Sequence, residues 1–354
     1  MTQNVTIKQV ADYAGVSIGT VSRVINSNNT VGRDHAQRVQ EAIKALGYRR
    51  NSAAQILGGR NRVGGARTGN IGVLFHGCKP QWRRYTMVSA YCDGIEHECA
   101  GQNYHAIVEM DYGLDYVRCV EDGKVDGLLV KSLGPLPDFV LEIAKRIPVI
   151  GLGMSMPDLP IHQVTPDNRV AGWSVTQSLW EKGHRRIGFL VANHHPMFIT
   201  RWQGYDEFLR THGRVNEQWV QWFTDPSDQR HMDLSKAPVD MSPSLLKMLA
   251  LPEDQRPTAI IVSDDHTAVA LLNKLISLDV KVPDQVSIVS FDNVVDICRS
   301  CRPTLSSYEI PLHQVGREAT RLLLELIRNP QESSMPLTHN VPGKLFLRES
   351  VLEI

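Results

Sequence analysis

Residues 5–26 decide the N-terminal fold, and they read Val-Thr-Ile-Lys-Gln-Val-Ala-Asp-Tyr-Ala-Gly-Val-Ser-Ile-Gly-Thr-Val-Ser-Arg-Val-Ile-Asn. Thr6 is a candidate helix N-cap, because its hydroxyl can accept a hydrogen bond from a backbone N–H of the first turn. Gly15 supplies the residue that a sharp helix C-terminus requires. Between these two, apolar residues recur at helical spacing and predict one buried face, at Ile7, Val10, Ala11 and Ala14. The first half of the stretch therefore predicts a short, capped helix.

A second helix is predicted after the turn, with Ser17 as its candidate N-cap. Its inward face would carry Val21, Val24 and Ile25, and its outward face Ile18, Gly19, Ser22 and Arg23. A third helix is predicted from about Arg33 to Leu46, ended by Gly47. Three short helices with the second helix of the pair exposed form the geometry that places a helix N-terminus in the DNA major groove.

The charge of this region agrees with a DNA-binding role. Residues 1–67 carry ten basic side chains and three acidic ones, a net charge of +7, whereas the whole chain has 38 of each and is formally neutral. Such asymmetry is typical of a nucleic-acid-binding end on an otherwise ordinary protein. The alternative is a helical subdomain whose basic face is merely solvated.

Three sequence motifs carry a resemblance to a known family. They are Asp12–Ser17, Thr20–Val24, and Ala42-Ile43 together with Leu46-Gly47-Tyr48. On these motifs, residues 5–51 resemble the headpiece of the LacI/GalR family of bacterial transcriptional regulators. The resemblance implies a helix-turn-helix DNA-binding headpiece at residues 1–50. It also implies a set of DNA contacts, namely Thr6, Ser17, Ile18, Gly19, Thr20, Ser22, Arg23 and Asn26.

Side-chain chemistry supports part of this set. In the resemblance, Ile18, Gly19 and Arg23 take base-reading positions, and phosphates are held by Thr6, Ser17, Ser22 and Asn26. Arg23 can donate two hydrogen bonds to guanine O6 and N7, and Ile18 can contact a thymine methyl group. Gly19 offers no side chain, so its role would be to permit close approach to the DNA.

A hinge helix and linker are expected at residues 51–69. Residues 51–58, Asn-Ser-Ala-Ala-Gln-Ile-Leu-Gly, resemble the family's hinge helix, which implies DNA contacts from Asn51, Gln55 and Leu57. Leu57 matches a leucine that wedges into the minor groove, where an apolar side chain unstacks a base step and kinks the duplex; the alternative is a core leucine. Arg50 stands where the family usually has proline. Residues 58–67 are rich in glycine and arginine, so we expect a linker that is flexible without DNA.

From residue 70 onward, buried strands alternate with helices. Strands are predicted at residues 71–75, 105–108, 126–130, 148–151, 161–164, 187–191, 259–262 and 286–291. Helices are predicted near residues 85–100, 170–182, 202–211 and 266–278. This alternation is typical of parallel sheets covered on both faces. About 285 residues exceed one such core, so we predict two lobes with a ligand cleft beyond the carboxyl ends of the strands.

This portion resembles the periplasmic-binding-protein-like core of the same family. The matching segments are Lys182–Ile187, Arg201–Tyr205, Asp264-Asp265, Ala268, Val282-Pro283, Ser287–Asp292, Pro303–Leu305 and Leu347–Ser350. The resemblance implies an effector-binding core at residues 70–354. We expect a first lobe of about 70–164 plus 294–330 and a second lobe of about 165–293 plus 331–354. The fold class is then an N-terminal all-α helix-turn-helix headpiece plus an α/β two-lobed core with parallel sheets.

Five residues are expected to contact the effector: Asp167, Arg201, Trp222, Asp264 and Asp292. Arg201 and Asp292 match the family's two main effector-contacting positions. A guanidinium and a carboxylate suit vicinal sugar hydroxyls, because each forms paired, charge-assisted hydrogen bonds; the alternative is a structural ion pair across the lobes. Trp222, or its neighbour Phe223, would stack on a sugar face. Asp265 is expected instead to be a helix N-cap.

The remaining residue groups in the sequence do not indicate a metal site, a cofactor site or a catalytic site. Cys298 and Cys301 form a CxxC pair, but the sequence has no second pair and no nearby histidine set, so neither metal nor cofactor is expected. No nucleophile and base stand together at the expected cleft, so no catalytic residue and no enzyme activity are predicted. Six scattered cysteines, without a signal peptide or long apolar run, favour the reducing cytoplasm and no membrane partner.

The sequence therefore predicts a sequence-specific DNA-binding transcriptional regulator, with repression the commoner mode of the family. The expected partners are a near-palindromic double-stranded operator, a small-molecule effector of the carbohydrate class, and a second copy of the chain in a homodimer. The protein would be cytoplasmic, and nucleoid-associated when bound to its operator. Two alternatives stay open, a solute-binding protein and a cleft enzyme on the same core, neither with a role in gene regulation.

Overall fold

Three helices form the first of two units, which spans Met1–Thr68. In this computed structural model the described residues are 5–25, 32–46, 67–78, 86–156, 158–191, 194–223, 240–330 and 335–354. The helices are α1 (Ile7–Ala14), α2 (Ile18–Ile25) and α3 (Arg33–Leu46), as the sequence predicts. They share a core of six buried side chains, Val10, Ala11, Ala14, Val21, Val39 and Ala42.

The turn between α1 and α2 depends on Gly15 and on Arg38 of α3. Gly15 ends α1 in the left-handed conformation, with φ at +62°. Arg38 Nη2 donates to Ala14 O at 2.5 Å and so satisfies a carbonyl that the helix end leaves without an intrahelical partner. A Cβ atom on residue 15 would lie 2.6 Å from this nitrogen. A side chain here would strain the backbone and displace Arg38, so the turn requires glycine.

Two six-stranded sheets form the second unit, Gly69–Ile354. The first sheet contains β1 (Asn70–His76), β2 (His105–Met110), β3 (Leu128–Ser132), β4 (Val149–Leu152), β5 (His162–Pro166) and β11 (Thr338–Val341). The second contains β6 (Ile187–Val191), β7 (Val220–Trp222), β8 (Ala259–Val262), β9 (Ser287–Phe291), β10 (Ser306–Glu309) and β12 (Lys344–Phe346). Their strand orders are β11-β5-β4-β3-β1-β2 and β12-β10-β9-β8-β6-β7. The described pairs are parallel except for β10 with β12.

Helices cover both faces of each sheet, and each sheet with its helices is a lobe. The first lobe has α4 (Thr86–Gly101), α5 (Arg118–Glu121), α6 (Asp138–Ala144) and α12 (Leu312–Arg328). The second lobe has α7 (Asn168–Glu181), α8 (Pro196–Thr211), α9 (Ser242–Leu249), α10 (Asp265–Ser277) and α11 (Val295–Ser300). A core cluster lies on each face of each sheet. No described helix has both the length and the apolar composition needed to cross a membrane.

The described chain passes between the lobes at residues 166–168, 309–312 and 341–344. The predicted lobe boundaries are wrong at the second and third passages. Residues 294–309 belong to the second lobe because β10 pairs with β9, and residues 338–341 belong to the first because β11 pairs with β5. The physical reason is that the predicted series of strands ends at β9, whereas two further helices and three further strands carry the described chain through both sheets again.

Candidate functional site

The outward face of α2 carries the residues that the sequence assigns to DNA. Ser17 caps the helix, since its Oγ accepts a hydrogen bond from Thr20 N at 3.1 Å and lies 2.9 Å from Thr20 Oγ1. Ile18 is 48% exposed, and Gly19 and Arg23 are exposed as well. This face of the first unit therefore presents one large apolar side chain and one guanidinium beside a glycine.

Local hydrogen bonds hold Arg23 and Thr6. Arg23 Nε donates to Gly19 O at 3.2 Å, and its two Nη groups donate to no described residue. Thr6 Oγ1 accepts from Gln9 N at 3.3 Å while Thr6 N donates to Gln9 Oε1 at 2.7 Å, a reciprocal cap of α1. Ser22 is half-buried. Four predicted DNA contacts lie outside the described residues: Asn26, Asn51, Gln55 and Leu57.

Arg201 of α8 lies at the carboxyl edge of the second sheet and is 1% exposed. Its Nε donates to Asn168 Oδ1 at 2.9 Å and its Nη1 to Ser263 O at 2.7 Å. Its Nη2 lies 3.5 Å from Asp292 Oδ1. Each nitrogen of the guanidinium therefore has a partner, and the planar cation is fixed before any ligand arrives.

The pair of Arg201 and Asp292 belongs to one lobe. Arg201 lies on α8 and Asp292 directly follows β9, so the alternative of an ion pair across the lobes is wrong. Phe198 and Phe291 lie against the guanidinium, with ring centroids 5.4 and 4.8 Å from its central carbon. The side chain of Asp292 is 34% exposed. Asp292 is thus the member of the pair that solvent reaches, and Arg201 holds it there.

Asp292 has an unusual backbone and an unusual acidity. Its φ is +99° and that of Asn293 is +51°, a region that residues with side chains rarely adopt. Burial raises the pKa of the Asp292 carboxyl to about 7; Arg201 opposes this rise, and the charges of Asp264 and Asp265 add to it. Arg201 therefore favours the ionised form of this carboxyl against the effect of burial and of its two acidic neighbours, and such opposed effects are typical of functional positions.

A buried carboxylate holds the turn after Asp292. Asp265 Oδ2 accepts from Val294 N at 2.6 Å and from Cys298 Sγ at 3.4 Å. Its Oδ1 accepts from Ser290 Oγ at 2.5 Å and from Ser307 Oγ at 2.6 Å. Four donors thus replace a counter-ion for this fully buried carboxylate and fix the backbone that carries Asp292.

Asp264, and not Asp265, caps α10, so the predicted N-cap is wrong by one residue. Asp264 Oδ1 accepts from Thr267 N at 2.8 Å, and its Oδ2 from Thr267 Oγ1 at 2.7 Å. Asp167 likewise caps α7, because its Oδ1 accepts from Val170 N at 2.9 Å. A carboxylate oxygen can accept more than one hydrogen bond, so both helix caps retain acceptor capacity at this edge of the lobe.

Trp222 ends β7 at the same edge and stacks on His194, with ring centroids 4.2 Å apart and an interplanar angle of 12°. Trp202 meets it edge-on at 5.9 Å. Phe223, the alternative to Trp222, packs against the second-lobe core. His194 therefore covers one face of the Trp222 ring, and Trp222 also packs against the second-lobe core.

The first-lobe edge carries polar residues that the sequence does not single out. His76 Nδ1 lies 3.5 Å from Asp111 Oδ2, and that oxygen accepts from Gly77 N at 2.9 Å. Lys131 near the end of β3 is 6% exposed, and its Nζ donates to Gly153 O at 2.8 Å. The sequence does hold a signal for Lys131, because a charge interrupts the apolar run of β3. Asn168, which orients Arg201, has no such signal.

The two thiols of the CxxC pair act as local donors. Cys298 Sγ donates to Asp265 Oδ2 at 3.4 Å, and Cys301 Sγ to Ile297 O at 3.3 Å. Burial raises the pKa of Cys298 to about 12, so this thiol stays protonated. Within the part of the chain that the structure describes, no group of three or more His, Cys, Asp or Glu side chains could hold a metal ion.

Two family models match the chain. Residues 6–51 match bacterial regulatory proteins of the lacI family, and residues 176–351 match a periplasmic binding protein-like domain. Similar proteins include the HTH-type transcriptional repressor PurR of Vibrio cholerae serotype O1 (strain M66-2), 27% identical over 92% of both chains. The ribose operon repressor of Haemophilus influenzae is 25% identical over 99% of both chains.

Solved structures show the same fold. The lac repressor dimer bound to operator and the anti-inducer ONPF superposes with a TM-score of 0.70 at 22% identity, covering 99% of this chain and 100% of that one. A CelR–cellobiose complex gives 0.64 at 24% identity, covering 98% and 100%. A regulator from Enterococcus faecium with bound ribose gives 0.62 at 21% identity, covering 80% and 99%.

The matches therefore cover the headpiece and the core in the order in which the chain carries them. They confirm the predicted fold class and the predicted family. The chain thus carries a headpiece of the lacI family of bacterial regulatory proteins at residues 6–51 and a periplasmic binding protein-like domain at residues 176–351.

Proposed function

We propose that this protein is a transcriptional repressor whose operator affinity is controlled by a carbohydrate bound at the carboxyl edges of the two core sheets. One observation carries the proposal: the buried Arg201, bonded to Asn168 and Ser263, holds a partly exposed Asp292 at the edge of the second sheet. Asp292 sits in a strained backbone that Asp265 stabilises. Strain that the surrounding structure maintains is typical of ligand-binding positions.

The chemistry of this edge suits a sugar. Asp292 and Asp264 offer acceptors for ligand hydroxyls, and Asp167 offers another beside α7. Trp222 at the same edge would provide an apolar platform through the face that His194 does not cover. Two structural relatives hold cellobiose and ribose, which supports the carbohydrate class.

The proposed DNA surface is the outward face of α2. Arg23 would read guanine and Ile18 a thymine methyl, with Gly19 permitting close approach. Phosphate contacts would come from Thr6, Ser17, Thr20 and Ser22. The remaining proposed DNA contacts are Asn26, Asn51, Gln55 and Leu57. Two headpieces in a homodimer would meet the two halves of a near-palindromic operator.

Control of operator affinity follows from linkage. The effector changes DNA affinity only by its differential affinity for two arrangements of the lobes. The three passages of chain between the lobes are the places where such a rearrangement can be absorbed. The relatives are repressors, and we propose a regulator acting in the cytoplasm without an enzymatic step.

Selection of operators from random duplexes, followed by fluorescence anisotropy, tests the DNA half of the proposal. The full chain should select a near-palindrome, and deletion of residues 1–60 should abolish binding. Arg23→Ala should weaken binding about 10- to 100-fold, the usual value of one bidentate base contact. Lys145→Ala, an exposed residue paired with Glu142, is the matched control. A selection without a palindrome, or binding that survives the deletion, contradicts the proposal.

A thermal-shift panel of neutral sugars, sugar phosphates, sugar acids and purines tests the effector half. A carbohydrate should raise the melting temperature of the full chain, and Asp292→Ala should remove that rise. If the strongest ligand raises the melting temperature of the unsubstituted chain and of Asp292→Ala equally, the effector site lies elsewhere. If only a purine acts, the carbohydrate class is wrong.

A further inference from the structure

Lys131 is a buried cation at the carboxyl edge of the first sheet. It lies one residue before the end of β3, between β1 and β4 in the strand order, and is 6% exposed. Its Nζ donates one hydrogen bond, to Gly153 O at 2.8 Å, and makes no ion pair with a described residue. An ammonium has three donors, so one carbonyl leaves most of its capacity unused.

Among the described residues, none forms an ion pair with Lys131. Burial raises the pKa of the neighbouring Cys78 thiol to about 11, so the thiol is neutral near pH 7. Asp111, the carboxylate at this edge, already accepts from Gly77 N and Gly113 N and lies beside His76. Burial lowers the pKa of Lys131 to about 8, so the ammonium form still predominates at pH 7. Burying an ammonium without an anion costs folding free energy, so lysine is an unusual residue at this position.

Tyr91 of α4 connects Lys131 with the proposed effector site. A Cβ on Gly153 would lie within bonding distance of Tyr91 Oη, so the hydroxyl packs directly against the backbone that Lys131 binds. Burial raises the pKa of Tyr91, and the charge of Arg201 offsets part of that rise. Arg201 on the second lobe therefore acts electrostatically on the same tyrosine that touches Gly153 on the first. Lys131 and Arg201 each lie at the carboxyl edge of their own sheet, which is where α/β folds bind ligands.

We propose that the effector carries an anionic group, a phosphate ester or a carboxylate, which Lys131 binds at the first-lobe edge. The inference rests on the proposed function, since it names the chemistry of the ligand for the same site. The carbohydrate hydroxyls face Asp292 on the second lobe, and the acidic group supplies the counter-charge that Lys131 lacks. Closing the lobes then brings the anion and the ammonium together in a low-dielectric setting, where such pairs are strongest.

Calorimetric titration of the full chain with matched ligands tests this inference. The probes are ribose and ribose 5-phosphate, glucose and glucose 6-phosphate, and the carboxylates gluconate and glucuronate. At least one acidic ligand should bind about 10- to 100-fold more tightly than its neutral parent, the value of a charge-assisted hydrogen bond. The phosphate and carboxylate members identify which acidic group the site takes.

Variants separate a charge contact from a structural role. Lys131→Met should reduce binding of the acidic ligand to the level of the neutral parent while the protein melts at an equal or higher temperature. Lys131→Arg should restore a preference for the acidic ligand, and the exposed Lys145→Met should change nothing. Equal affinity for neutral and acidic sugars, or an acidic preference that survives Lys131→Met, overturns the inference and leaves the proposed function intact. Failure of every sugar, neutral or acidic, to bind overturns both.

Discussion

The carboxyl edges of the two sheets share an architecture and differ in their polar chemistry. At the second-lobe edge, Arg201 has partners on every nitrogen and Asp265 accepts from four donors. At the first-lobe edge, Lys131 has one carbonyl and no described counter-ion. The charged groups at the second-lobe edge therefore have hydrogen-bond partners without a ligand. Lys131 at the first-lobe edge would gain a counter-charge only when an anionic ligand binds. Substitutions at the two edges should therefore have opposite effects on stability.

The largest effect is expected from Arg201→Ala. This substitution leaves Asn168, Ser263 O and Asp292 without their buried partner, and breaking a buried pair in this way costs about 3–5 kcal/mol of unfolding free energy. Arg210→Ala is the matched control, since Arg210 lies on the same helix in an exposed pair with Asp206 and its loss should change the unfolding free energy far less. Urea unfolding of the core measures both. Equal losses would show that the second-lobe edge is not preorganised.

A smaller loss is expected from Asp265→Asn. The amide nitrogen cannot accept the hydrogen bonds that the carboxylate oxygen accepts, so the loss is about 1–3 kcal/mol. The turn that carries Asp292 should loosen with it, and ligand binding should weaken. Asp296→Asn, an exposed position on α11, is the control and should stay within about 0.5 kcal/mol. An unchanged unfolding curve for Asp265→Asn contradicts the role of this network.

The effect of opposite sign concerns Lys131 and pH. Its pKa falls from 10.5 to about 8 in the folded chain, so the unfolded chain binds more protons between these values and stability rises with pH there. Lys131→Met lacks this titration. The variant should exceed the parent in melting temperature most strongly below pH 8, and the advantage should shrink as pH approaches 10.5. A melting-temperature difference that stays constant from pH 7 to pH 10 would show that the ammonium is not buried without a partner.

Local patterns made much of the fold predictable. Helix capping depends on residues adjacent in sequence, so it can be predicted from local patterns. Thr6 and Gly15 indicate where α1 begins and ends, and Ser17 indicates where α2 begins. Strands β6 and β8 begin and end at the predicted residues, since a buried parallel strand is a continuous apolar run. Patterns of this range cannot predict the second passage between the lobes, which depends on β10 pairing with β9.

The site was less predictable, because its geometry comes from residues distant in sequence. Asp264 takes the capping role expected of Asp265, because it accepts a hydrogen bond from Thr267 N. Asp265 instead accepts from Val294 N of another loop. Asn168 matters only because α7 places it against Arg201. The resemblance predicted Arg201 and Asp292 as effector contacts, and the structure places their side chains together. Their role toward an effector stays a prediction.

Ligand binding at the core edges should be coupled to DNA binding by α2. Fluorescence anisotropy measures this coupling as the operator affinity of the full chain with and without a saturating concentration of the strongest sugar ligand. We expect a change of about tenfold or more, within the usual range of allosteric coupling, and no change for Asp292→Asn, which should still bind operator. A ligand that binds tightly at the cleft yet leaves operator affinity unaltered would contradict the account.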